Sequence, residues 1–226
     1  MPLDRIARTT WLALLVLLCA FARPGAAGTI TGSLKVPGVS SGTSANPYPG
    51  RASALPGRHE VPHGLVTDAV VYVGQVSART ESLLVDDPSG RVLAQRNQAF
   101  SERVLSCVVG TTVDFPNQDP IFHNVFSVSP VKRFDLGKYP RGHSKQVTFK
   151  KPGIVQVFCD IHPSMACFIV VLPNRAFTRP KDDGSFALPK LPAGTYTVKT
   201  WHPDFGEQSR TIKVPSSGEV ALALEF

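Results

Sequence analysis

Val157-Phe158-Cys159-Asp160-Ile161-His162-Pro163-Ser164-Met165 is the stretch on which the reading of this chain turns. A thiol, an imidazole and a thioether recur in it at intervals of three. The runs on either side, Ile154 to Phe158 and Ala166 to Leu172, are strongly apolar and partly β-branched, as strands buried on one or both faces should be. A tight loop between two such strands can turn all three side chains toward one point. A second imidazole, His123, lies in an earlier loop after Phe115-Pro116-Asn117. Two strand-end loops can therefore close on a single ion.

The donor set decides which ion. Two imidazoles and a thiolate in a plane, with a weak axial thioether, is the blue-copper arrangement, and soft sulfur donors favour copper. Zinc sites draw on Cys, His and carboxylates and hardly ever on Met. Magnesium and calcium need clustered oxygen ligands, which are missing here. One type 1 copper held by His123, Cys159, His162 and Met165 is the expectation. Two plainer readings stand beside it. Cys159 and Met165 can be core residues with two surface histidines nearby. Cys159 and His162 can also be a catalytic pair, but that needs an orienting third group and a substrate cleft. Neither is visible in the sequence, so no enzymatic activity and no small-molecule substrate are expected.

The rest of the chain reads as nearly all β. Pro and Gly together make up about one residue in six of the 226, which favours short strands and many turns. Strands are expected at Thr29 to Val36, Asp68 to Val73, Arg91 to Gln95, Arg103 to Val109, Thr111 to Phe115, Asn124 to Ser129 and Ser144 to Phe149, besides the two already given. Asp182-Asp183-Gly184 reads as a turn between Phe177-Thr178 and Phe186-Ala187-Leu188. Thr195 to Trp201, Arg210 to Val214 and Val220 to Phe226 close the chain. Residues 37–64 are dense in Pro, Gly and Ser and read as a loose surface loop.

Residues 91–172 resemble a cupredoxin, the family of plastocyanin and amicyanin. Gly110-Thr111-Thr112-Val113-Asp114-Phe115-Pro116-Asn117 followed by His123-Asn124 is similar to that family's first ligand loop. Pro152-Gly153, Phe158-Cys159, His162 and Met165 are similar to its second, with the short amicyanin-like gap between His162 and Met165. The resemblance implies a Greek-key barrel of about eight strands. It implies that Asn124, with Asn117 nearby, ties the two ligand loops together by hydrogen bonds. It also implies that His162 lies near the surface, ringed by Ile121, Phe122 and Pro163, as the electron's exit. Finally, it sets the strand of Cys107 beside that of Cys167, which implies a disulfide between them; two small buried thiols are the alternative.

The tail resembles the carboxypeptidase regulatory-like, or transthyretin-like, β-sandwich. Asp183-Gly184-Ser185-Phe186, Leu191-Pro192-Ala193-Gly194-Thr195-Tyr196 and Trp201-His202-Pro203 carry the likeness. That family's opening strands are matched by Gly28-Thr29-Ile30-Thr31-Gly32 and Asp68-Ala69-Val70-Val71, which precede the copper region. The expected fold class is thus all-β: a Greek-key cupredoxin barrel inserted in or joined to a second small β-sandwich. The expected organisation is a signal peptide at 1–27, sandwich at 28–80, cupredoxin domain at 81–173 and the rest of the sandwich at 174–226.

The leader has Arg5 and Arg8, an apolar run from Trp11 to Phe21 and small residues in Gly25-Ala26-Ala27, the layout of a cleavable export signal. A periplasmic or secreted protein with no transmembrane span after signal removal is expected. The formal charge is +7, with no run of five or six like charges and no aromatics interleaved with basic residues, which argues against nucleic acid. Basic residues gather between Lys132 and Lys151, either as a solvated face or as a docking face for an acidic redox partner protein. An electron carrier between such partners is the first functional reading. A periplasmic copper-binding chaperone would want more methionine than the two present. A β-sandwich interaction protein with a structural metal would want more aromatic surface.

Overall fold

The structure is a computed structural model that describes residues 27–37, 64–85 and 91–226. The expected leader, up to its last residue, and nearly all of the expected loose loop lie outside the described residues. The regular secondary structure among the described residues is nearly all strand. No helix among the described residues is long and apolar enough to cross a membrane.

Strands β1 (Ala27–Lys35) and β2 (Val70–Val73) come first, followed by a single-turn helix α1 (Ala78–Glu81) capped by the Ser77 side chain. The middle of the chain supplies β3 (Gln95–Arg96), β4 (Ala99–Phe100), β5 (Val104–Val108), β6 (Thr112–Pro116), β7 (His123–Ser127), β8 (Phe134–Tyr139), β9 (Ser144–Thr148), β10 (Gly153–Phe158) and β11 (Ala166–Leu172). The tail adds β12 (Phe177–Thr178), β13 (Ser185–Ala187), β14 (Leu191–Pro192), β15 (Gly194–His202), β16 (Gly206–Val214) and β17 (Glu219–Glu225).

The middle strands build a sheet in the order β5-β11-β10-β7-β8, faced by the β6-β9 pair and the small β3-β4 hairpin. Between them lies one core that includes Leu93, Leu105, Val113, Phe115, Phe149, Val155, Val157 and Ile169. The two ends of the chain build a second body. β1 pairs with β13, β14 and β17, and β2 lies between β12 and β15 in the sheet β12-β2-β15-β16. These two sheets share a core of Ile30, Leu34, Val71, Val73, Phe186, Leu191, Val198 and Leu224. Gly32 shows how close the chains come: a Cβ there would lie 2.0 Å from the Leu222 carbonyl oxygen of the neighbouring strand, so no side chain fits.

The bodies meet across β11. Its residues alternate, as strand geometry requires: Cys167, Ile169 and Val171 face the inner core, while Val170 and Leu172 join Val104, Val70 and Trp201 in a third cluster. This is why β11 is apolar on both faces. The rings of Phe168 and Trp201 meet edge to face at 5.4 Å. Beside that seam Arg103 donates to Asp68 at 2.7 Å and to Asp204 at 2.6 Å, and Arg179 pairs with Glu102 at 2.7 Å.

Several expectations need correction. β8 occupies part of the basic stretch and was not expected as a strand. It is the outer member of its sheet, mostly exposed, and Gly137 interrupts its pattern. The expected strand Arg91 to Gln95 shrinks to β3 plus isolated bridges from Val92 and Gln95 to Asp114 and Asn117. The Asp182-Asp183-Gly184 turn forms, with Gly184 donating to the Lys181 carbonyl at 2.8 Å, but it is no hairpin. β12 pairs with β2 while β13 pairs with β1, so the turn carries the chain from one sheet to the other.

The disulfide is also corrected. β5 and β11 do run side by side, in parallel, but the register sets Cys107 opposite Val171 and Phe168 opposite Val104. Cys167 is thus four positions from the partner of Cys107, about 13 Å along the strand at ~3.3 Å per residue. That is beyond the Cα separation a bridge can span. Both thiols are free and buried. Burial pushes the Cys107 thiol up to about 12 and that of Cys167 well above its usual range, which keeps them protonated and inert.

Candidate metal centre

Cys159 follows directly on β10 and Met165 directly precedes β11. The two strands are antiparallel, with Phe158 opposite Ala166, so residues 159–165 are the loop of a tight hairpin. Backbone bonds fix it: Cys159 N–H donates to the Met165 carbonyl at 3.1 Å, and Met165 N–H donates to the His162 carbonyl at 2.9 Å. The inner-core packing of β10 and β11 anchors both ends. Cys159 and Met165 are each 1 % exposed, whereas His162 is only half-buried.

His123 opens β7 and is fully buried. Its Nδ1 lies 3.1 Å from His162 Nδ1 and 3.9 Å from Cys159 Sγ, and His162 Nδ1 lies 3.8 Å from the same sulfur. A point equidistant from the three atoms is about 2.1 Å from each, within the roughly 2.0–2.3 Å span of metal bonds to imidazole nitrogen and thiolate sulfur. The donor triangle therefore fits one metal ion as it stands. Among the described residues this is the His, Cys and carboxylate grouping with that property. Burial, and next the neighbouring His123, lowers the pKa of His162 below the usual imidazole value, which favours the neutral, metal-binding form.

Met165 shares the inner core with Cys159 and lies on the same seven-residue loop. Asn117, 1 % exposed, braces the first loop: its Nδ2 donates to the carbonyls of Ile121 at 2.9 Å and Tyr139 at 3.0 Å, and its Oδ1 accepts from Asp119 N–H at 2.9 Å. Asn124 does not tie the loops as expected. Its side chain is buried and its Oδ1 has no hydrogen-bond partner among the described residues. The loops are joined instead through strand pairing of β10 with β7.

Sequence reading missed Asp119. Its Oδ2 sits 2.7 Å from His123 Nε2. A carboxylate only accepts, so the imidazole proton sits on Nε2 and the Nδ1 lone pair is left for a metal. Burial works against the charged form of Asp119, but bonds from the Gln98 N–H, the His123 ring and the Asn97 N–H outweigh it and lower its pKa. The signal in the sequence was a carboxylate four residues before an expected ligand.

Near the half-buried His162 large apolar side chains stand exposed, Phe122 at 55 % and Ile121 and Ile161 each at 37 %, with Asp160 and Ser164 of the same loop also exposed. Pro163 is exposed beside them. Large side chains left in water on one rim mark a contact face better than scattered ones do.

No family model and no curated protein matches the chain. Among solved structures it is similar over part of its length to copper proteins and cupredoxins. A Cu-containing nitrite reductase from Thermus scotoductus SA-01 is 30 % identical over 36 % of this chain, at a TM-score of 0.35, and this chain spans only 22 % of its length. A purple cupredoxin from Nitrosopumilus maritimus is 22 % identical, covering 36 % of this chain and 98 % of that one, at a TM-score of 0.34. A reduced amicyanin variant is 24 % identical, covering 46 % and 98 %, at a TM-score of 0.35.

Proposed function

We propose that the chain is a copper protein of the electron-carrier kind, in which His123, Cys159 and His162 would hold one type 1 ion and Met165 would add a weak fourth donor. The observation that carries this reading is the triangle of two imidazole nitrogens and one sulfur, sized for a metal and buried on two of its three corners. Copper, when bound, supplies a one-electron couple. The residues of the chain do the rest. The core beneath β10 and β11 holds the donors in place, so little rearrangement accompanies a change of oxidation state. Burial of Cys159 and Met165 excludes water. The exposed apolar side chains of Ile121, Phe122 and Ile161 give a redox partner protein a contact face beside His162, with the exposed Asp160 the nearby charge.

In this reading the ends of the chain form a carboxypeptidase regulatory-like sandwich into which the cupredoxin domain is inserted, and the mature protein works in the periplasm or outside the cell. The basic stretch from Lys132 to Lys151 suits an acidic partner.

The test is titration of the purified protein with Cu(II), followed by reduction and reoxidation. One equivalent is expected to produce an intense visible band that bleaches with a single electron and returns. Met165→Leu is expected to keep the metal and raise the reduction potential, because a weak donor to the oxidised ion is lost. Failure to develop the band at one equivalent would defeat the reading, and loss of metal from Met165→Leu would defeat the axial role.

A further inference from the structure

The hairpin β3–β4 lies at the margin of the central body, yet its tip holds two consecutive non-glycine residues in the left-handed region, Asn97 at φ 55° and Gln98 at φ 56°. Two positive φ values in a two-residue turn are the signature of a type I′ hairpin. Such values are uncommon outside glycine and asparagine, so Gln98 stands in a costly conformation. The turn aims successive backbone N–H groups outward, and both end on one carboxylate: Asn97 N–H donates to Asp119 Oδ1 at 2.6 Å and Gln98 N–H to Asp119 Oδ2 at 2.8 Å. Asp119 is 5 % exposed and turns Oδ2 to His123 Nε2. The hairpin grips the same loop at its root as well. Gln118 N–H donates to the Gln95 carbonyl at 2.9 Å. The Gln95 side chain, fully buried, donates to the Tyr139 hydroxyl at 2.5 Å, and Tyr139 is the strand partner of His123.

We infer that hairpin β3–β4 positions the metal ligand His123 through Asp119, so that the Asn97-Gln98 turn, some distance along the chain from every ligand, tunes the metal centre. Asp119 is a positioning residue: the peptide N–H pair fixes the carboxylate, the carboxylate fixes the ring and its tautomer, and Nδ1 is left aimed at Cys159 and His162. A carboxylate behind the ligand also raises the basicity of the imidazole. That favours the more highly charged oxidised ion over the reduced one. A purely structural ion pair would make the protein melt earlier when cut and leave the metal's preference untouched.

The inference rests on the copper reading above, and the experiment separates the two. Asp119→Asn keeps the shape and removes the anionic acceptor. Its Cu(II) affinity, measured by chelator competition, is expected to fall about tenfold, the low end of what loss of such a partner costs, with Cu(I) affinity less affected. A tenfold preferential loss of the oxidised ion raises the potential by about 59 mV. Gln98→Val, which cannot sit comfortably at positive φ, is expected to shift the potential in the same direction by less. The double change Asn97→Gly with Gln98→Gly keeps the turn and is expected to hold the wild-type potential. An unchanged potential in Asp119→Asn, or in Gln98→Val, would overturn the inference. If the wild-type protein never develops the visible band, the copper reading falls instead. Zn(II) competition and amide exchange of Asn97 and Gln98 in the metal-free protein then still test the positioning: Asp119→Asn is expected to weaken zinc about tenfold and speed both amides, and no change in either would overturn it.

Discussion

Replacing Cys159 by serine abolishes the intense visible absorption of the copper-loaded protein. The band requires charge transfer from a thiolate, and Cys159 places its sulfur 3.8–3.9 Å from both imidazole nitrogens. The other described cysteines cannot substitute. Cys107 sits opposite Val171 on a different strand and Cys167 is buried in the inner core, with their protons held by burial. Serine is close in size, so β10 and β11 should keep their register and the protein its fold. Full colour in Cys159→Ser would show that another sulfur binds the ion. Far-UV circular dichroism checks that any loss of colour is not a loss of structure.

Trp201→Ala is expected to cost about 3–5 kcal/mol, the range for truncating a large aromatic side chain in a packed core, and to lower Tm by roughly 10 °C for a chain of this length. Trp201 is 8 % exposed and sits at the seam between the two bodies, edge to face with Phe168 and beside Val70, Val104 and Leu172. Truncation leaves a cavity lined by β-strand side chains that cannot collapse without shifting β11. The metal site should be spared, because β11 turns Val170 and Leu172 toward Trp201 and Cys167, Ile169 and Val171 toward the core that holds Cys159 and Met165. Thermal unfolding and the visible spectrum of the same variant check both halves. A Tm within a degree or two of wild type would mean the two bodies do not support one another.

The loop of residues 159–165 was legible because Cys159, His162 and Met165 fall within seven residues bounded by two apolar runs. Nothing beyond local geometry is needed to bring Cys159, His162 and Met165 to one end of a hairpin. His123 was legible as a donor at a neighbouring strand end. Asp119 was not, because its role depends on a hairpin tip 21 and 22 residues earlier folding against it, and its four-residue spacing from His123 does not announce that approach. The disulfide failed for a different reason. The resemblance to cupredoxins puts the strands of Cys107 and Cys167 together, but register decides contact, and each residue of offset moves the partner by ~3.3 Å. Both cysteines face the inner core, so facing alone would allow the pair, and it is the four-position offset between β5 and β11 that keeps them apart. β8 was hidden because an edge strand with one wet face and a central glycine lacks clean alternation. The Asp182-Asp183-Gly184 turn was legible as a turn, but its strand partners were not, since a sandwich can use a tight turn to change sheets as well as to return along one.

The most direct measurement on the central claim is X-ray absorption at the copper edge of the protein loaded with one equivalent. The account predicts a first shell of two nitrogen donors and one short sulfur at about 2.0–2.3 Å, all lost or rebuilt when His123, Cys159 or His162 is replaced. A shell of nitrogen and oxygen alone, unchanged by those replacements, would contradict it.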